Sequence, residues 1–109
     1  MVEKRKHPRV NVSFPVECSL LPQRRYFYTV SKDLSLGGVK ILSDSFLPKN
    51  DPFKLTVNLI DKALDIKAKV VWCNRERRVD RYMVGLEFSE VNQRNQKDLT
   101  HFIDRILPI

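Results

Sequence analysis

Val12, Phe14, Val16, Cys18 and Leu20 alternate with Asn11, Ser13, Pro15, Glu17 and Ser19, the period of two expected when a strand buries one face. A first strand is predicted there. Pro22 interrupts it, and the aromatic and β-branched stretch from Tyr26 to Val30 predicts a second strand running toward Lys32. After Gly37 and Gly38, Val39 to Leu42 reads as a short third strand. Pro48, Asn50, Asp51 and Pro52 form a turn cluster. Beyond it Phe53, Leu55, Val57 and Leu59 alternate with Lys54, Thr56 and Asn58 as a fourth strand. Asp61 and Lys62 make a hairpin tip, and Leu64, Ile66, Ala68, Val70 and Trp72 carry the alternation through a fifth. A charged loop from Arg75 to Arg81 then leads to a sixth, Tyr82 to Phe88.

From Ser89 the period changes. Val91, Leu99, Phe102, Ile103, Ile106 and Leu107 fall at helical spacing, and Pro108 closes the run. The spacing predicts one amphipathic C-terminal helix over residues 89–107. Short strands separated by turns, with no helices between them, predict a mainly β fold, a small antiparallel barrel or sandwich. The helix would pack on one opening or flank. At 109 residues the chain reads as a single domain, since two halves could not each bury an adequate core.

Composition narrows the class. With 42% hydrophobic and 30% charged residues the chain is too apolar for an intrinsically disordered one. No apolar run approaches the roughly 20 residues of a membrane-spanning helix, and the charged start Met1–Lys6 has no apolar stretch behind it. A cytoplasmic protein without membrane insertion is the expectation. Cys18 and Cys73 lie far from each other and from any His at metal-ligand spacing, so they read as small core residues and no metal site is expected. The net charge of +7 points to an anionic partner, whether nucleotide, nucleic acid, acidic protein or membrane surface. The excess sits at the front, where Lys4, Arg5, Lys6 and Arg9 face only Glu3. Residues 1–10 are accordingly expected to form a flexible arginine-bearing arm ahead of a barrel spanning 11–88.

Two segments carry chemistry beyond structural patterning. In Arg5-Lys6-His7-Pro8-Arg9, each arginine offers a planar fork that can grip phosphate oxygens or the O6/N7 edge of guanine, and a flat face that can stack on a purine. Pro8 restricts His7 and fixes its own φ, so both arginines project from an extended segment. In Asp33-Leu34-Ser35-Leu36-Gly37-Gly38, the Asp33 carboxylate can accept from the N–H groups of guanine and Ser35 adds a short donor or acceptor. Gly37 and Gly38 permit positive φ and close approach of a ligand to the backbone. Taken singly, the first segment also reads as a solvated arm and the second as an ordinary turn.

The combination is more specific. Arg-x-x-x-Arg, then 23 residues, then Asp-x-Ser-x-x-Gly resembles the paired signature of the PilZ domain family, with Arg5, Arg9, Asp33, Ser35 and Gly38 in the matching positions. The segments Val70-Val71-Trp72 and Val84-Gly85-Leu86-Glu87-Phe88 are similar to the late strands of that family. The resemblance covers nearly the whole chain and implies a six-stranded antiparallel β-barrel with a C-terminal α-helix. It also implies binding of cyclic di-GMP. On that analogy Arg5 and Arg9 meet phosphates and guanine, Asp33 and Ser35 the base, and Gly37 and Gly38 allow backbone approach. The residue before the arginine motif varies in the family and bears on whether one ligand or an intercalated pair binds; Lys4 favours the pair.

Trp72 is a further candidate with two placements open. It can stack on a guanine from an outer face, or it can join Ala68 and Val70 inside. Arg75, Arg77, Arg78 and Arg81 could extend an anion surface, but Glu76 and Asp80 among them fit a solvated loop. Neither His7 nor His101 has the neighbours of a triad, and no pair of carboxylates is poised for acid–base work, so no catalytic residues and no cofactor are expected. The leading reading is a receptor or adaptor that captures cyclic di-GMP, changes surface and signals to a partner protein. A basic barrel that binds single-stranded nucleic acid is the alternative, disfavoured because most aromatics fall on inward positions. A ligand-free PilZ-like adaptor is a third, opposed by the complete motif.

Overall fold

The computed structural model describes residues 13–20, 25–59, 62–78 and 80–106. Lys4, Arg5 and Arg9, the expected arm over residues 1–10, and Val12 of the first alternating run lie outside them.

Six strands come in chain order: β1 (Pro15–Leu20), β2 (Arg25–Leu34), β3 (Gly38–Ser43), β4 (Pro52–Asn58), β5 (Ala63–Arg75) and β6 (Tyr82–Glu90). All pairings are antiparallel, and the sheet closes into a barrel in the order β1-β2-β3-β6-β5-β4. Closure removes the free edges that an open sheet of this length would carry. The inward positions are those of the alternation: Val16 and Cys18 on β1, Val39 and Ile41 on β3, Phe53, Leu55 and Val57 on β4, and Leu64, Ile66, Ala68 and Val70 on β5 are all buried. Cys18 is a core residue, as its spacing predicts, and burial pushes its thiol up to about 12.

The terminal helix, α1 (Gln93–Ile106), starts later than the residue 89 that periodicity predicts. Two causes are local. Ser89 and Glu90 extend β6, with Glu90 opposite Lys67, and Asn92 caps the helix, its side-chain oxygen accepting the Asn95 N–H at 2.8 Å. Leu99, Phe102 and Ile103 are the buried face, at the i, i+3, i+4 spacing of an amphipathic helix. Phe102 meets Phe14 edge-on with ring centroids 4.8 Å apart. On the other side Lys62 Nζ reaches Asp98 at 2.8 Å, which holds the Asp98 carboxyl below its usual range, and Asn95 donates to the Asp65 carbonyl.

Phe14 is also tied to β2. The Ser31 N–H donates to the Phe14 carbonyl at 2.8 Å, and the Phe14 N–H donates to Ser31 Oγ at 2.9 Å. Among the described residues no helix is long and apolar enough to cross a membrane.

Candidate ligand-binding face

Two irregularities in the ladders decide which side chains reach the outer wall. On β2, Phe27 and Thr29 share the inward face with their β1 partners Cys18 and Val16, and Ser31 lies opposite inward Ile41. Strict alternation would send Asp33 inward as well. The β2–β3 register shifts between Ser31 and Asp33. Lys32 is the extra residue, and a one-residue bulge reverses the phase of the strand beyond it. Leu34 therefore turns inward, fully buried, and Asp33 faces outward beside Lys40.

The same device operates on β5. Leu64 to Val70 alternate inward, which would carry Trp72 into the barrel. The β5–β6 register shifts between Val70 and Trp72, so Val71 is the extra residue and Trp72 turns out, opposite Gly85. Gly85 sits between inward Val84 and Leu86, so a side chain there would point outward. A Cβ built at that position falls on the Trp72 indole. The indole packs over Gly85 on β6, and of the two placements open for Trp72 the outer one is realised.

Cross-strand partners then align. Asp33 is opposite Lys40, Lys40 opposite Gly85, and Gly85 opposite Trp72. Four strands thus present one outer row with a carboxylate at one end and an indole at the other, three inter-strand steps or about 14 Å apart. Asp33 is only 5% exposed, and its carboxylate stands 3.5 Å from the Lys40 ammonium. Lys40 and Gly85 escaped the motif reading. Gly85 did leave a signal, since a lone glycine inside a strand marks a close approach; Lys40 left none beyond its polar phase on β3.

The turn after Asp33 is built differently from its sequence expectation. No described glycine has positive φ; among the described residues only Asn50 does, at 73°. A Cβ on Gly38 would run into the Leu86 carbonyl of β6, so Gly38 is required for close strand packing rather than for a left-handed turn. Gly37 lends its carbonyl to the Phe88 N–H at 2.9 Å. Ser35 is buried, and its Oγ accepts the N–H groups of Gly37 at 3.1 Å and Gly38 at 3.2 Å. Its own N–H donates to the Gly38 carbonyl at 2.9 Å. The hydroxyl therefore braces the turn that presents Asp33.

Sequence comparison assigns the family: the PilZ domain model matches residues 3–105. The chain belongs to the PilZ domain family. No curated protein sequence gave a match. Among solved structures, this PilZ domain is similar to the inhibitor of motility MotI/DgrA of Bacillus subtilis, with TM-score 0.83 and 18% identity over 95% of this chain and 51% of that one. It is also similar to the PilZ domain of YcgR from Escherichia coli, solved with c-di-GMP, with TM-score 0.78 and 16% identity over 95% and 92%. A third is MrkH of K. pneumonia in its c-di-GMP complex, with TM-score 0.79 and 17% identity over 94% and 52%. This chain spans about half the length of MotI/DgrA and of MrkH. At these identities the structural likeness establishes the barrel and its helix.

The remaining candidates separate from the row. Arg75 pairs with Asp80 at 3.2 Å and Arg81 with Asp44 at 3.7 Å, while Arg77 and Arg78 are exposed on the loop, the solvated arrangement that the interspersed acids suggested. The aromatic surface is richer than the alternation implied, since Tyr26, Tyr28 and Phe46 are exposed.

Proposed function

We propose that this PilZ domain is a receptor for cyclic di-GMP that binds the ligand on the outer row of Asp33, Lys40, Gly85 and Trp72. The observation that carries the reading is the row itself. Two independent bulges bring to one face a carboxylate suited to guanine N–H donors and an indole suited to stacking, with a glycine between them on which the indole is seated. The family's signature completes the chemistry: Arg5 and Arg9 supply charge-assisted contacts to the two phosphates and to guanine. The c-di-GMP complexes of the YcgR PilZ domain and of MrkH, which share the fold, support the same ligand here.

Ser35 acts through the turn and Gly38 through strand packing, so both position Asp33 rather than meet the base. Lys4, ahead of the arginines, favours an intercalated pair of ligands. The output is a changed surface recognised by a partner protein, since the groups assembled here suit binding and not bond-making. Calorimetric titration with cyclic di-GMP, with GTP and a single-stranded oligonucleotide as controls, tests the reading. Saturable binding of cyclic di-GMP alone, with two ligands per chain, is expected. Preference for the oligonucleotide would replace it with the nucleic-acid reading.

A further inference from the structure

Lys40 lies between inward Val39 and Ile41 on β3, so its side chain leaves the barrel on the wall that carries Asp33 and Trp72. Its surroundings there hold little charge. Along β3 the next outward residues are Gly38 and Leu42. Across on β6 its partner is Gly85, flanked in the outward phase by Met83 and Glu87. Glu87 pairs with Lys69 at 3.9 Å. The Lys40 ammonium stands instead 3.5 Å from the Asp33 carboxylate.

That distance is longer than the about 2.7–2.9 Å of a charge-assisted hydrogen bond, and an ammonium carries several donors, which one carboxylate does not use up. Of the two side chains Lys40 is the more open, at 29% against 7%. A group that reaches the carboxylate therefore passes beside the ammonium. The outer row thus offers an acceptor and a donor side by side. Guanine's pairing edge presents the complement, since N1–H and N2–H donate and O6 next to them accepts. Adenine carries an amino group in place of O6, which sets donor against donor at the ammonium.

We propose that Lys40 is the specificity residue for the purine 6-position: its ammonium donates to guanine O6 while Asp33 accepts from N1–H and N2–H of the same base. The inference rests on cyclic di-GMP occupying the outer row, and it names the atom by which that row tells guanine from adenine. The bulge at Lys32 creates the pair. Without the register shift between Ser31 and Asp33 the carboxylate would lie inside, and Lys40 would be a lone point charge of the kind that attracts any phosphate. Beside Asp33 its charge is offset while its donors keep their direction. The pair therefore favours a base edge over a phosphate.

The test is calorimetric titration of the whole chain, wild type and Lys40→Met, with cyclic di-GMP and with its 6-thio analogue. In the analogue sulfur, a weak acceptor, replaces O6, and the phosphates, N1–H and N2–H are kept. Wild type should prefer the oxygen ligand by about tenfold or more, as a hydrogen bond to a charged group requires. Lys40→Met should bind cyclic di-GMP more weakly by a similar factor and bind the two ligands alike. Lys40→Thr, too short to reach the base and suited to a strand, repeats the comparison if Lys40→Met does not fold. A preference of the same size in wild type and variant would overturn the proposal, because Lys40 would then serve a phosphate or only hold Asp33. A wild type that does not tell oxygen from sulfur would overturn it too. Failure of the wild type to bind either ligand would remove the receptor reading itself, and this inference with it.

Discussion

Gly85→Ala isolates the role of Trp72 without touching its side chain. The added methyl would occupy the space of the indole's Nε1 and Cε2, so the ring must swing off β6. The barrel can absorb this, because the obstructing group is a side chain on the outer wall. Exposing on the order of 50 Å² of ring and strand costs about 1 kcal/mol. The ligand loses its stacking platform, worth about 1–3 kcal/mol, so cyclic di-GMP affinity should fall by roughly 5- to 150-fold. Gly38→Ala is the contrast. There the methyl meets the Leu86 carbonyl, which cannot rotate away, and the expected result is a stability loss of about 2–3 kcal/mol as β3 and β6 separate. The chain has a single tryptophan, so its fluorescence reports ring position directly beside thermal melts and calorimetry. Unchanged emission and affinity in Gly85→Ala would refute the stacking role. Unfolding as severe as that of Gly38→Ala would show that the glycine serves the strand and not the ring.

Arg5→Ala and Arg9→Ala should each weaken cyclic di-GMP binding by about ten- to over a hundredfold, the worth of a charge-assisted contact of about 1.5–3 kcal/mol, with little change in melting temperature; calorimetry and a thermal melt of each variant check both halves. Asp33→Ala should cost guanine discrimination more than phosphate binding, so that cyclic di-AMP competes better in a displacement assay; equal loss of both ligands would show that Asp33 only holds the turn. Asp98→Asn should lower the unfolding midpoint near neutral pH and leave it unchanged in acid. The Lys62 hydrogen bond lowers the folded Asp98 carboxyl below its ordinary 3.8, so its contribution is full above that value and is lost as the pH falls through the lowered one. A gap between wild type and variant that persists in acid would count against this.

Strand number, order of elements and the helix face were legible because each rests on a local period. Phe53, Leu55 and Val57, or Leu99, Phe102 and Ile103, declare their side by spacing alone. The site was half legible. Asp33, Ser35 and Gly38 stand out as a motif, but nothing in the alternation reveals that Asp33 and Trp72 share a face, because extending the period from Thr29 or from Val70 puts both inside. The bulges at Lys32 and Val71 exist only as mismatches between strands distant in sequence, so a single-strand pattern cannot record them. The expectation of positive φ at the glycines fails for a related reason: Gly38 is required by the Leu86 carbonyl, almost fifty positions away, and not by a left-handed turn.

Phe14 gives the fold a mechanical property. It is fastened to Ser31 by two hydrogen bonds and to Phe102 by ring contact, and it lies five positions after Arg9. A pull on the chain ahead of it is therefore shared between the strand that carries Asp33 and the helix at the opposite end of the sequence. Phe14 is thus a shared fastening, and loosening it would be felt at once by Ser31 on the strand that carries Asp33 and by Phe102 on α1.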